Sequence, residues 1–496
     1  MKKCRVQIWA TILTLALAVP AVWAQQQKDP RVNPPVAPLP PITPGESSSK
    51  SAMDDPAPSP QNAVKPDESS LSGAEAFTLG ISSGGRSFVT PTIRFTQFTD
   101  NSKSTATSLD DWKASGSLTG QLALQRTWSR SQLGIDYSGG ATLFTIAQNR
   151  RASFHRVGIS DQITWRRITL LLADSLIYLP ESSFGAGGLG GLSTGSLGGL
   201  GNGSIGTGFG SGSGGGFGGG LVPGIIPSQS ILTGTGRRIS NTALGQIKYA
   251  LGPRTSITAS GSYGMLRFLD PGFINSSNFQ FMTGYDYKMN PADTIGVVYS
   301  MSMLRFGGIS QSADFHNFHL AYGRRITGRL ALQLAGGPQF GTFQNPVTGS
   351  GKRVSWSLRS ALIYNFRNTA LGLNYSHGAT TGSGVFVGSD ADRVDATISR
   401  QLSRMWSGGL HFGYAHNHSI RQLNAVTTSR TVNTWHGGFG LQRPVGRQAR
   451  ASLSYNVSGQ NADTPVGCVG LACGKFPIRH QIALTFSWGF GPYAID

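Results

Sequence analysis

Eight charged residues in this chain share one side of an alternating pattern. Arg94, Lys248, Arg359, Arg393 and Arg450, with Asp136, Asp286 and Asp395, fall in stretches where every second residue is apolar; Arg94 lies between Ile93 and Phe95, and Lys248 between Ile247 and Tyr249. Successive side chains of an extended strand point to opposite faces, so all eight belong to the face opposite the apolar one. Five basic groups against three acidic ones leave that face net positive, which concentrates anions beside it. A structural reading stands beside the electrostatic one. Arg393 and Asp395 are two residues apart on one face, the spacing of an ion pair along a strand.

Other patterns carry less chemistry. Gly201, Gly203 and Gly206 reproduce the glycine spacing of a dinucleotide-binding loop, but no strand precedes them and no helix follows, so no cofactor is assigned. His416 and His418 form an H-x-H, with His411 and His436 in adjacent strands. No carboxylate or cysteine completes a ligand set there, so no metal is assigned. No local arrangement of nucleophile and base stands out, and the chain reads as a non-enzyme.

The elements that hold the charged face are strands. In the last of them, 478–490, Ile482, Leu484, Phe486, Trp488 and Phe490 alternate with Gln481, Ala483, Thr485, Ser487 and Gly489. Leu371, Leu373 and Tyr375 oppose Gly372, Asn374 and Ser376 in the same way, as Leu453, Tyr455 and Val457 oppose Ser452, Ser454 and Asn456. From about residue 88 such strands come in pairs around tight turns, among them Asn290-Pro291-Ala292-Asp293, Ile326-Thr327-Gly328 and Pro444-Val445-Gly446, each followed one strand later by a longer polar loop. Short turns on one rim and long loops on the other describe an all-β fold, a transmembrane antiparallel up-and-down β-barrel of about 18 strands, or 16 or 20 if one hairpin is missed or split. So wide a barrel encloses a lumen. Tyr249, Tyr287, Tyr364, Trp165, Trp356 and Trp406 are expected at the turn ends as an interfacial girdle. Charged residues make up only 13% of the chain, which suits a lipid-facing exterior, and no stretch past the first residues is apolar enough for a membrane helix.

The 478–490 stretch resembles the C-terminal strand of Gram-negative outer-membrane proteins, whose near-terminal aromatic residue, after alternating apolar ones, is an assembly signal. Phe486, Trp488 and Phe490 stand at those positions, with a tail, 491–496, beyond them. The resemblance implies the cell outer membrane as location, with its lipids and the barrel-assembly machinery as partners. A long insertion, 180–236, follows the fifth expected strand and holds a glycine-rich tract, 185–220. In general porins the loop at this place folds into the lumen, and Pro180-Glu181-Ser182-Ser183-Phe184-Gly185 resembles its Pro-Glu-Phe-Gly opening with two added serines. Pro180, Glu181, Phe184 and Gly185 then begin either an inward constriction or a surface loop. By this resemblance the expected function is a porin-like channel for passive diffusion of small polar solutes, anions among them. An exopolysaccharide export barrel and a non-conducting structural or adhesive surface barrel are the alternatives. The residues leave the solute and the oligomeric state open, an oligomer included.

The start of the chain fits export. Lys2, Lys3 and Arg5 precede an apolar run at 8–19 and a Val22-Trp23-Ala24 cleavage site, which makes 1–24 a secretory signal ending at Ala24. Residues 25–75, rich in Pro and Ser, are expected to be a disordered periplasmic linker, followed by the barrel over 76–490. The net charge of +19 includes the three basic groups of the leader. Nucleic acid is excluded as a partner by export, and arginines beside the short turns, such as Arg130, Arg166 and Arg254, suit anionic headgroups or plain solvation. Cys468 and Cys473 favour a local disulfide over a metal site in an oxidising compartment.

Overall fold

Alternation of large apolar with small polar residues makes strands throughout the chain. The computed structural model describes residues 87–101, 113–144, 151–179, 237–307, 311–345, 349–366, 368–380, 388–420, 431–463, 476–491 and 493–495. The expected leader with Ala24, the linker, the 180–236 insertion with Pro180, Glu181, Phe184 and Gly185, and Cys468 and Cys473 lie outside these residues. The strands are β1 (Phe88–Asp100), β2 (Lys113–Thr127), β3 (Ser131–Phe144), β4 (Arg151–Thr164), β5 (Ile168–Leu179), β6 (Arg238–Ala250), β7 (Thr255–Phe268), β8 (Ser276–Lys288) and β9 (Asp293–Phe306). They continue with β10 (Gln311–Arg325), β11 (Leu330–Asn345), β12 (Gly349–Phe366), β13 (Thr369–Thr380), β14 (Ser389–Gln401), β15 (Ser407–Ser419), β16 (Thr431–Val445), β17 (Ala449–Ala462) and β18 (Phe476–Gly489). A two-residue strand, β19 (Tyr493–Ala494), ends the series.

Each strand pairs antiparallel with the next, and β1 pairs with β18 from Thr92↔Gly489 to Asp100↔Gln481, so the sheet closes on itself as an eighteen-stranded barrel. The tail after Phe490 takes part in the closure. Val89 pairs with Tyr493 and Phe88 with Ala494, and the Ile495 N–H donates to the Ser87 carbonyl at 3.0 Å.

Side chains sort by parity. On β1, Ile93 and Phe95 are exposed while Thr96 and Phe98 are buried; on β10, Phe318 and Leu320 are exposed while Asn317, His319 and Ala321 are buried. Large apolar residues stand on the outside of strand after strand, a continuous belt far beyond the apolar patch a soluble protein exposes. Lipid covers such a belt, and closure of β1 on β18 removes the open sheet edges that could not cross it.

The two rims differ in ways the sequence reading placed only in part. Connections of two to five residues join β2–β3, β4–β5 and each later even–odd pair on one rim. On the other rim the β9–β10 and β11–β12 connections are as short as turns, contrary to expectation. The reason is strand length: β11 runs 16 residues and β12 18, so residues expected in loops are paired as strand. At the short-turn rim Arg126 lies over Trp128 at 5.0 Å, Arg329 over Phe366 at 5.6 Å and Arg443 over Trp406 at 5.6 Å. Such cation–π pairs suit an interface with headgroups. Trp356, expected in this girdle, lies instead toward the long-loop rim, stacked on His377 at 4.0 Å. There the outward face carries tyrosine–histidine pairs, Tyr137 with His155 (3.1 Å), Tyr299 with His316 (2.8 Å) and Tyr455 with His480 (2.8 Å). Trp356 was misplaced because β12 extends far beyond its neighbour β13, which no local pattern announces.

Inward-facing glycines set how closely strands and large side chains approach. A Cβ at Gly337 of β11 would overlap the Phe318 carbonyl of β10, whereas one at Gly261, on the outward face of β7, would meet nothing within 4 Å. We expect Gly337→Ala to lower unfolding stability by about 1–3 kcal/mol, the range for overpacking. Gly261→Ala should be neutral or slightly stabilising. Urea unfolding of the two variants in liposomes checks the pair; equal effects would contradict the packing at Gly337.

Candidate functional site: the inner wall

Parity assigns every one of the eight charged residues singled out above to the inward face. Arg94 shares its side of β1 with Thr96, Asp136 its side of β3 with Ser138, and Asp286 its side of β8 with Met282. Lys248 shares its side of β6 with Gln246 and Arg359 its side of β12 with Ser357, while Arg450 shares its side of β17 with Asn456 and stands exposed near the short-turn rim. Arg393 and Asp395 are buried neighbours on β14, and the Arg393 Nε donates to Asp395 Oδ2 at 2.8 Å. For this pair the structural reading of the charges holds.

Three further inward residues, Arg156, Arg238 and His319, escaped the sequence reading, which named His411 and His436 without placing them inward. Arg156 on β4 is buried, with its Nε 3.9 Å from Asp136 Oδ2. Arg238 opens β6, and His319, His411 and His436 are buried on β10, β15 and β16. His411 and His436 face inward with ring centroids 6.1 Å apart, whereas His416 points outward and bonds Asn433. The four histidines therefore do not converge. Among the described residues no group of three or more His, Cys, Asp or Glu is placed to hold a metal ion.

Register explains how large polar groups fit on this wall. His319, Gly337 and Ser357 lie side by side on β10, β11 and β12, so the His319 ring bonds the Ser357 hydroxyl across a residue with no side chain. Gly438 of β16 likewise sits between His411 and Asn456, where a Cβ would collide with both side chains. Only the pairing of distant strands brings such neighbours together, which is why the sequence alone does not show them.

Two chemistries divide the middle of the wall. Leu171, Ala173, Leu244, Met282, Val298, Ala321 and Ala335 form one buried apolar cluster on the inward faces of β5, β6 and β8–β11. Mid-strand cations lie on the remaining arc: Arg359 on β12, Arg393 on β14, Arg94 on β1 and Arg156 on β4, with the His411–His436 pair among them. The apolar cluster is interspersed with inward polar groups of the same strands and their neighbour β7, among them Gln246, Ser260, Gln280 and Asn317.

Comparison with family models and with curated proteins finds no match. Among solved structures the barrel is similar to Pseudomonas aeruginosa OpdQ, at 11% identity and a TM-score of 0.41 over 82% of this chain and 98% of that one. Acinetobacter baumannii OccAB3 is similar at 12% identity and a TM-score of 0.42, over 82% and 99% of the two chains. A BenF-like porin from Pseudomonas fluorescens Pf-5 is similar at 10% identity and a TM-score of 0.42, also over 82% and 99%. Likenesses this distant carry no functional argument. The barrel rests on its own strand pairing, and its chemistry on its own wall.

One charged clamp stands outside the spanning segments. Just before β6, Arg237 donates from Nε (2.9 Å) and Nη2 (2.7 Å) to Asp270 Oδ1, and its backbone N–H donates to Oδ2 at 2.6 Å. These bonds tie the approach to β6 to the β7–β8 turn. The Arg237 side-chain bonds, and then its backbone N–H, hold the Asp270 carboxyl below the usual carboxylate range. A folded-state pKa lowered in this way stabilises the clamp above the ordinary carboxylate pKa, and that stability is lost as pH falls through the lowered value. Amide exchange at Arg237 should therefore stay slow at neutral pH and speed up only in strong acid, while Asp270→Asn should exchange faster already at pH 7. A second expectation concerns β14. Arg393→Met should destabilise on the order of 3 kcal/mol by leaving a buried carboxylate unpaired, and adding Asp395→Leu should recover much of it, as a double-mutant cycle by urea unfolding measures.

Proposed function

We propose that this chain is a porin-like channel of the outer membrane that passes small anionic solutes by passive diffusion. The observation that carries the reading is the set of mid-strand arginines on the inward faces of β1, β4, β12 and β14, with an apolar cluster of β5, β6 and β8–β11 set among the polar side chains of the remaining wall. A net basic wall of low dielectric raises the local concentration of anions and lowers that of cations. Arg94 and Arg359 are the residues we assign to that field, with Lys248 and Arg450 as basic groups toward the short-turn end, Asp136 and Asp286 tempering it, and Arg393 and Asp395 as a pair that largely cancels. The apolar arc offers contact area to the uncharged part of a solute, so carboxylates with a hydrocarbon or sugar body fit better than bare inorganic ions. Phe486 and Trp488 of β18, with Phe490 just after it, are the residues we propose as the signal for insertion by the assembly machinery. Pro180, Glu181, Phe184 and Gly185 are proposed to open a loop of the long-loop rim.

Reversal potential across a salt gradient in a planar bilayer tests the reading. The wild type should prefer anions, and Arg94→Gln with Arg359→Gln should shift the reversal potential toward cation preference without closing the channel. Conductance with no ion preference in either protein would remove the arginines from the field, and a folded but silent barrel would favour a structural role.

A further inference from the structure

The inner wall carries a second apolar feature, at the long-loop mouth. There Leu304 and Phe306 of β9, Ala313 and Phe315 of β10 and Phe343 of β11 form one buried cluster on inward faces. Phe315 and Phe343 meet edge-on with ring centroids 5.5 Å apart. A Cβ at Gly341 would come within 2.9 Å of the Phe315 ring and 3.3 Å of the Phe343 ring, so the bare backbone there makes room for both. Inward faces at the mouth of a watery tube are expected to be polar and wet. These are neither.

What covers the cluster comes from both sides of the opening. Ile274 of the β7–β8 turn, Ala379 near the end of β13 and Ile420 just after β15 pack against it. A Cβ at Gly388 would lie 3.4 Å from Ile420 Cδ1 and 3.8 Å from Phe306 Cζ. Between β9 and β14 the sheet places four strands, so the path along the wall is about 24 Å at about 4.8 Å per strand, more than a phenylalanine side chain spans. The contact therefore cuts across the inside of the barrel. At the same corner Ser389, Asn417 and Val432, all inward, are 0% exposed.

Both sides of this seam are anchored. Asn275 fixes Ile274, since its Oδ1 accepts from the Phe268 N–H and its carbonyl from the Gly307 N–H, each at 2.7 Å. Opposite, the Ile420 N–H donates to the Gly388 carbonyl at 3.3 Å, and Gly388 itself has a φ of 79°, which favours glycine. An ion pair, Arg353 Nη2 to Asp390 Oδ2 at 2.6 Å, joins the tall edge of β12 to the start of β14.

We propose that this seam is the selectivity constriction of the channel: a hydrophobic gate that holds back hydrated ions and admits solutes able to lay an apolar face on Phe306, Phe315 and Phe343. A narrow passage walled by hydrocarbon offers water no hydrogen bonds, so it dewets and a bare ion must shed its shell to cross. An organic anion replaces that water with its own carbon skeleton and continues to the arginines below. The inference rests on the channel reading, and the test separates the two.

The full chain, purified from membranes of an expressing bacterium and shown to be folded by its heat-modifiable mobility, is compared with Phe306→Ser/Ile420→Ser and with the milder Phe343→Ser. Single-channel steps of the wild type in potassium chloride should be small and steepen with voltage. Either polar variant should raise them several-fold and make the current linear, with anion preference kept. In liposomes the wild type should take up phenylacetate faster than gluconate, anions of equal charge, and the variants should bring the two rates together. Equal conductance and an equal uptake ratio in all three proteins would overturn the gate and leave the channel standing. Silence from all three, each folded, would overturn the gate and the channel reading together, because a polar mouth should have opened.

Discussion

Closure of one hydrogen-bonded ladder governs everything else in this barrel. In hydrocarbon an unpaired N–H or carbonyl has no water to turn to, so a sheet can cross only if its first and last strands satisfy each other. Here β1 meets β18 over nine residue pairs, and the partly buried hydroxyls of Thr96 and Thr485 bond across the seam at 3.1 Å. The register of that seam decides which parity of both strands faces lipid. A slip by one residue would turn over one of the two strands, sending Phe486 and Trp488 into the lumen or Arg94 into the membrane.

Once closure fixes parity, the inner wall becomes a problem of fitting side chains on a concave surface. Large polar groups sit beside glycines on neighbouring strands: Asp136 beside Gly158, Asp286 beside Gly296, and His319 reaching Ser357 over Gly337. The same device admits aromatic rings at the long-loop mouth, where Gly341 leaves space for Phe315 and Phe343. Polarity, charge and shape of the lumen are thus written across strands, in the alignment of residues far apart in sequence. A channel built this way can be basic at its waist and apolar at its mouth without any loop defining either.

Much of the architecture was legible because a period of two is a local signal. The strands from β1 to β18, the closure strand with Phe486 and Trp488, and the inward parity of Arg94 or Asp395 all follow from alternation alone. Arg156 was not legible, since Phe154 faces inward beside it and blurs the apolar side of β4. The apolar seam was hidden for the same reason: Phe306, Phe315 and Phe343 look like lipid-facing residues until register puts them inside. The girdle residue Trp356 and the short β9–β10 and β11–β12 connections depended on strand lengths, which tertiary pairing sets.

The central claim is that one parity of each strand faces lipid and the other a basic lumen. Its most direct test is a single-cysteine scan across the closure seam in a chain whose own cysteines are serine, using a charged thiol reagent and a lipid-soluble one on proteoliposomes. Cysteines at Arg94 and Ser487 should react with the charged reagent, and those at Ile93, Phe95, Phe486 and Trp488 only with the lipid-soluble one. Labelling that ignores parity, or charged reagent reaching the Phe486 and Trp488 positions, would contradict the closed barrel described here.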